Sequence, residues 1–525
     1  MVNELTDTVP RLGWHAGHVY RTIATLDRPC FVVRTDRGIA AINDERAIRP
    51  GTEVLAAVPA LPAERLGSPD FARDHGVRYP YMAGAMANGI ASADLVVALS
   101  KAGLLASFGA AGLVPDRIDT ALATIRRGTG GGPFACNLIH SPNERALERA
   151  TVDLCLRHGV RCVEASAFLD LTPQIVRYRV TGLSAIDGGV LIGNSVIAKV
   201  SRSEVAERFL RPAPEHMVQE LVAAGLVTGD QAALARRVPM ADDITAEADS
   251  GGHTDRRPLS VLLPEIIALR DQVRRDTGLT TDVRVGAAGG IGTPTAACAA
   301  FAMGAAYVVT GSVNQASVEA AQSNTVKRLL AAAGAADCGM APSADMFELG
   351  VDVQVLLRGT MFAARARRLY ETYRTYPGIE AIPAAERAEL EQRIFVRPLD
   401  DVWSDTVEYF SARDPQQIDR ARDDPKRRMA LVFRWYLGLS SGWSTSGHPD
   451  RSADYQIWCG PAMGAFNDWV AGTYLAALEN RKVVDIARNL VRGAAFAGRV
   501  SQLGFSGVRL PASCRTYLPE PTDEN

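Results

Sequence analysis

Several things are missing from these 525 residues, and each absence removes a class of protein. No stretch approaches ~20 uninterrupted apolar residues, so no transmembrane helix is expected. The opening MVNELTDTVP lacks a basic region leading into an apolar run and does not read as a signal peptide. Neither sign of charge is in excess. Lys and Arg number 57 against 59 Asp and Glu, for a net charge of -2, and that balance offers no general attraction for nucleic acid. The local run Lys426-Arg427-Arg428 reads as a solvated helix face. The cysteines (Cys30, Cys136, Cys155, Cys162, Cys298, Cys338, Cys459, Cys514) form no C-x-x-C pair, so no metal is expected. Most sit inside apolar segments and read as reduced, buried thiols of a cytoplasmic protein. Nothing repeats at a solenoid period.

What remains has ordinary globular composition, 47% hydrophobic and 22% charged. The chain is longer than one core usually grows, so two or three units are expected. From about residue 79 to 312 one grammar recurs: a short apolar run ending in small or polar residues, then an Ala/Leu-rich helical pattern. Strands are expected at Tyr79–Ala83, Leu104–Phe108, Phe134–Ile139, Cys162–Ser166, Val190–Val200, Ile244–Ala248, Val283–Ala287 and Tyr307–Thr310, with helices such as Ser92–Ala102 and Asn143–His158 between them. Such continuously apolar strands suit burial on both faces. Their number and span fit an α/β fold of the (β/α)8 TIM barrel type, which takes ~250 residues. An open doubly wound sheet is the alternative.

Residues 1–70 carry a small β pattern (Cys30–Arg34, Gly38–Ile42), and 71–330 form the barrel unit. Its insertion 201–240, with helices at Ser203–Leu210, Glu215–Ala224 and Gln231–Arg237, is expected to be a lid. Val218–Arg237 imitates a helix-turn-helix but lacks a basic recognition face. Residues 331–525 read as mainly helical, with helices at Met361–Tyr376, Ala384–Arg393, Pro425–Leu437, Ala465–Leu478 and Lys482–Gly498 and a frayed tail from Leu518.

The chemistry follows the glycines. Gly286-Ala-Ala-Gly289-Gly290-Ile291-Gly292 follows the seventh strand and Gly311-Ser312 the eighth. In such barrels, paired turns there present backbone N–H groups to a phosphate, whereas a lone pair would read as a tight βα turn. The sequence is not the G-x-G-x-x-G of a dinucleotide fold. After the sixth strand comes Asp249-Ser250-Gly251-Gly252-His253, in which two glycines let backbone lie against a flat ligand beside an imidazole suited to proton transfer. Ala83-Gly84-Ala85-Met86 ends the first strand with small residues for a planar ring. Lys199 is a charge in an apolar strand. It either meets the electron-rich edge of a flavin or snorkels to solvent. Asn137 and His140 end the third strand, Glu164 and Ser166 the fourth. Glu164 either joins the site, orients Lys199 or caps a helix.

Together AGAMANGIAS (83–92), NLIHSPNE (137–144), EADSGGHTD (247–255), GAAGGIGTP (286–294), MAPSADMFELG (340–350), FRWYLG (433–438) and DYQIWCGPAMGAFNDWV (454–470) resemble one family. It is that of the PfaD-like trans-acting enoyl reductases of polyketide and polyunsaturated-fatty-acid synthases, themselves similar to FMN-dependent enoyl reductases and nitronate monooxygenases. The resemblance implies a flavoprotein in which NADPH or NADH reduces FMN, which then reduces an enoyl thioester on an acyl-carrier protein. It places catalysis at His253, as proton donor or positioning group. Cofactor contacts would be Ala83, Gly84, Ala85, Met86, Asn137, Glu164, Lys199, Asp249, Ser250, Gly251, Gly252, Gly289, Gly290, Ile291, Gly311 and Ser312. Expected partners are the acyl-carrier protein and the synthase modules, with Lys426, Arg427 and Arg428 as candidate docking charges. Neither nucleic acid nor membrane is expected, and a homodimer is the candidate assembly. A nitronate monooxygenase-type flavin oxidase is the runner-up, ahead of a flavin-free phosphate-binding lyase or isomerase.

Overall fold

The apolar runs become strands β1 (Tyr81–Ala83), β2 (Leu105–Phe108), β3 (Ala135–Ile139), β4 (Cys162–Ser166), β5 (Ser195–Val200), β6 (Asp243–Glu247), β7 (Arg284–Ala288) and β8 (Val308–Thr310). All pair in parallel, and β8 closes on β1 with Val309 opposite Met82. The result is the expected closed (β/α)8 barrel. This is a computed structural model describing residues 15–140 and 145–522. The opening segment MVNELTDTVP read for a signal peptide, residues 141–144 with the expected helix start at Asn143, and the last three residues lie outside the described residues.

The strands are apolar because helices cover them outside and side chains fill them inside. Inside the barrel Phe71 stacks on Tyr307 at 4.2 Å between ring centroids. Gly286 makes room for that ring, since a Cβ there would stand 2.4 Å from it. This glycine of the GAAGGIG run therefore serves packing, not a ligand. Beside this plug Asp243 at the start of β6 binds Arg284 at 2.6 Å and His75 at 2.7 Å, all three buried. Helix starts are written locally. Thr172 and Thr293 each accept the N–H three residues on, and Pro173 and Pro294 follow at the first helical position.

The expected strand Val190–Val200 is in fact two elements. Leu183–Ile186 and Gly189–Ile192 form an antiparallel hairpin outside the barrel, and β5 begins at Ser195. The turn Asp187-Gly188 has positive φ at both positions, 28° and 79°, which matches the twist of a two-residue hairpin. The insertion 201–240 is also placed differently. Its helices Ser203–Leu210, Glu215–Ala223 and Gly229–Ala235 pack on the outer helices and on this hairpin. It is no lid over the barrel mouth. The apolar sides of these short helices are used up by the barrel's outer layer.

Before the barrel, Cys30–Thr35 lies between Gly38–Ile42 and Val54–Val58 in an antiparallel sheet. The last long helix, Val483–Phe505, returns to pack on Pro294–Ala302 and on this sheet. Its fully buried Arg499 donates to the carbonyls of Ile23, Thr25, Leu26, Arg28 and Pro59. Residues 341–437 form a separate core around Phe347, Phe362, Phe395, Phe433 and Tyr436. Three of the downstream helices run Phe362–Thr375, Pro425–Ser446 and Ala462–Val470, and Leu399–Arg413 and Pro415–Arg422 add two that periodicity did not suggest. The region is mainly helical, but Cys338–Pro342 and Asp352–Leu356 form a β-hairpin within it. None of the described helices is long and apolar enough to cross a membrane. All eight cysteines are free, and only Cys298 and Cys338 are partly exposed.

Candidate active site

The βα turns at the carboxyl ends of β1, β6, β7 and β8 open into one cavity of about 610 Å³. Gly84, Ala85 and Met86 line it after β1, Asn137 on β3 and Lys199 on β5. The loop Asp249–His253 follows β6, Gly289, Gly290 and Ile291 follow β7, and Gly311 and Ser312 follow β8. Ala83 and Glu164 do not reach the cavity wall. Ala83 is fully buried between its strand neighbours Thr310 and Ala106. Glu164 stands beneath the wall, where its carboxylate accepts the Ala85 N–H at 2.8 Å and lies 3.8 Å from the Lys199 ammonium.

The glycines separate into two kinds. A Cβ on Gly251 would strike the Cys459 backbone at 2.8 Å, and one on Gly292 the Ala462 carbonyl at 2.0 Å. These two admit a strap, 455–462, that crosses the turns. Gly252 and Gly290, with φ of 84° and 70°, and Gly311 have nothing within 4 Å of a Cβ position, so their backbone is bare toward the cavity. Among the described residues no protein group accepts the N–H of Gly290, Gly311 or Ser312. Bare backbone with unspent donors on successive turns suits a phosphate. The strap is fastened to this cradle by the Gly460 N–H to Ser312 Oγ at 3.0 Å and by Gln315 Nε2 to the Trp458 carbonyl at 2.6 Å.

His253 is held by an element that helical periodicity did not disclose. Gly252 and His253 pair antiparallel with Gln354 and Val353 of the hairpin. Gln354 Nε2 donates to Asp249 Oδ1 and to the Ser250 carbonyl, each at 2.9 Å. The hairpin's other arm leads into Ser343 and Asp345, and Asp345 Oδ1 lies 3.2 Å from His253 Nε2. Ser343 Oγ is 3.3 Å from the same nitrogen and also bonds the Asp345 carboxylate. Burial works against the imidazolium. The hydrogen bond and charge of Asp345, aided by Glu247, outweigh it and raise His253 above its ordinary value. Asp345 in turn is lowered to about 2, its own burial overcome by His253 and Ser343.

Across the cavity Lys199 Nζ lies 3.2 Å from Glu247 and 3.8 Å from Glu164. Its burial is offset by these two carboxylates, which raise the ammonium above its usual range and keep it charged. Lys199 is thus paired and in the wall, and does not snorkel away. Asn137 Nδ2 donates to Ser166 Oγ at 2.8 Å and to the Glu164 carbonyl at 3.1 Å. His140 stacks on Phe168 beside Glu148 and takes no part in the cavity wall.

Residues 343–346, 406–410 and 431–441 roof the cavity. Lys426, Arg427 and Arg428 are not free docking charges. Lys426 donates to the Tyr373 and Tyr376 carbonyls, Arg427 to Gln417, and Arg428 pairs with Glu380 while lying over Trp403. They clamp the start of helix Pro425–Ser446 to its neighbours. The sequence reasoning missed Glu247, Ser343, Asp345, Gln354 and Gly460. The alternation in Asp352-Val-Gln-Val-Leu356 was the available signal for the hairpin.

Comparison with known proteins places this geometry. Residues 71–345 match the nitronate monooxygenase family model, and 376–455 match that of the inserted helical domain of [acyl-carrier-protein] S-malonyltransferase. Over 87% of its length the chain is 51% identical to one of the polyunsaturated fatty acid synthase polypeptides of Thraustochytrium sp., spanning 31% of that protein. It is 46% identical over 90% of its length to polyketide biosynthesis protein PksE of Bacillus subtilis, spanning 61% of it. Among solved structures, the enoyl reductase domain of MlnA from the macrolactin biosynthesis cluster of Bacillus amyloliquefaciens superimposes with a TM-score of 0.80 at 38% identity, covering 85% of this chain and 99% of that one. The chain therefore belongs to the nitronate monooxygenase family and, within it, to the enoyl-reductase branch found with polyketide and polyunsaturated-fatty-acid synthases.

Proposed function

We propose that the chain is an FMN-dependent enoyl reductase that uses NADPH or NADH to reduce the α,β-double bond of enoyl thioesters carried by an acyl-carrier protein of a polyketide or polyunsaturated-fatty-acid synthase. The observation that carries this is the cavity itself. It sets a bare-backbone phosphate cradle beside a carboxylate-held imidazole and a part-buried ammonium, under an apolar roof. Gly289, Gly290, Ile291, Gly311 and Ser312 would hold the phosphate, with Gly84, Ala85, Met86, Asn137 and the loop Asp249–Gly252 against the ring. FMN, when bound, supplies hydride for the β-carbon of the thioester.

The protein's own part is charge and protons. Asp345 fixes Nε2 of His253, leaving Nδ1 as the nitrogen that hands a proton to the α-carbon. An imidazolium there also stabilises the enolate oxygen that forms as hydride arrives. Lys199, kept cationic by Glu247 and Glu164, is a fixed positive charge suited to a carrier that takes up electrons. On this reading 1–70 is a supporting subdomain, 71–330 the catalytic barrel and 331–525 the region that receives substrate and carrier protein. His253→Ala is expected to retain FMN and lose most enoyl reduction, about a hundredfold or more for a lost proton donor. Wild-type turnover in an FMN-replete His253→Ala protein would end the assignment.

A further inference from the structure

The cavity changes chemistry from floor to roof. Near the barrel it is lined by backbone, Lys199 and His253, whereas the roof presents Leu431, Trp435 and Leu437 from one helix and Tyr409 and Phe410 from another. Along helix Pro425–Ser446, Leu431, Trp435, Gly438 and Ser441 recur every three or four residues and share one face. All four line the cavity. The run from Leu431 to Ser441 is about 15 Å long at the helical rise. Its Ser441 end is fixed at the barrel, where Ser441 Oγ accepts from Asn88 Nδ2 at 2.9 Å, just past Met86 in the turn after β1. The wall therefore leads away from the reactive turns, beneath helix Leu399–Arg413.

Two of the polar side chains on this route are engaged within the protein. Thr406 Oγ1 donates to the Val402 carbonyl at 2.7 Å, and Arg434 donates to Glu348 at 3.2 Å. A hydrocarbon tail laid along Leu431, Leu437, Tyr409 and Phe410 leaves water for apolar surface and asks for no polar partner.

We infer that this arm of the cavity receives the hydrocarbon tail of the acyl group, so that extended apolar enoyl thioesters are the favoured substrate class and Gly438 sets how far the tail can run. The inference rests on the enoyl-reductase reading. Gly438 has nothing within 4 Å of its Cβ position and lies within a regular helix, so a larger side chain grows into the arm without displacing backbone.

The test uses the full-length FMN-loaded protein and carrier-bound enoyl thioesters from crotonyl to dodecenoyl. The wild type is expected to prefer dodecenoyl. Gly438→Phe should cut the dodecenoyl-to-crotonyl ratio of kcat/KM by about tenfold or more, with Gly438→Ala between the two. Quenching of Trp435 fluorescence by saturated dodecanoyl and butyryl thioesters, assigned with Trp435→Phe, reads the same arm without turnover. Dodecanoyl should bind tighter than butyryl only while Gly438 is small. A chain-length profile that is flat, or identical in wild type and Gly438→Phe, overturns the inference even if crotonyl is reduced. Length-dependent, Gly438-sensitive binding without any enoyl reduction would instead leave the arm standing and remove the enoyl-reductase reading.

Discussion

His253 and Asp345 are separated by most of a barrel's closing turns, yet 3.2 Å parts their side chains. With Asp345 deprotonated from about pH 2 upward, the pair carries an imidazolium to a higher pH than a free histidine would. A proton donated by His253 is therefore held to higher pH than on a free imidazole and lost as pH rises through its raised value. In Asp345→Asn the supporting charge goes and burial remains, so the alkaline limb of kcat/KM should move toward acid. An unmoved limb would remove Asp345 from the mechanism. His253 was legible because two glycines beside a histidine at a strand end is a local pattern. Asp345 was not, since its role depends on a β-hairpin folding back onto that loop. Lys199 was legible as an anomaly but not in its meaning, because Glu164 and Glu247 come from neighbouring strands.

Elements show the same division. Eight barrel strands could be read from short apolar runs because burial on both faces leaves a continuous signature. The hairpin at Asp187-Gly188 was absorbed into a strand because apolar β-branched residues flank its turn on one side. The strap had no periodicity of its own, although it decides which glycines face the cavity. A Cβ on Gly460 would meet the backbone of Ser250 and Gly251 at 2.9–3.2 Å. Gly460→Val should thus lift the strap, costing about 1–3 kcal/mol of stability, and the purified protein should carry less FMN. Undiminished flavin content would show that the strap does not close the cradle. Beside the barrel plug, burial opposes the charge on Asp243, but His75 and Arg284 hold its carboxyl below the ordinary range. The stability it contributes is present above the unfolded value and fades as pH falls through the native one. Asp243→Asn, which takes from buried Arg284 one of its two carboxylates and leaves Asp74, should lower unfolding stability by about 1–3 kcal/mol in denaturant titrations.

At the scale of the molecule, two cores meet over one cavity. The larger runs from the N-terminal sheet through the barrel to the last helix, and the smaller holds 341–437 together as a roof. Composition and strand spacing reached the barrel but not the roof. Helical periodicity announces helices without saying which face turns inward, or that an insertion at 201–240 would pack outside while one at 376–455 would cover the mouth. The roof also favours the proposed enoyl reduction over nitronate oxidation, since a small nitronate needs no wall of about 15 Å. The most direct test is a single anaerobic mixing experiment. The purified protein, its flavin bleached by NADPH or NADH, is mixed with a carrier-bound enoyl thioester while the oxidised-flavin band is followed. The account predicts prompt return of that band without oxygen, with one saturated thioester formed per flavin. A flavin that stays bleached until oxygen or a nitronate is admitted would contradict it.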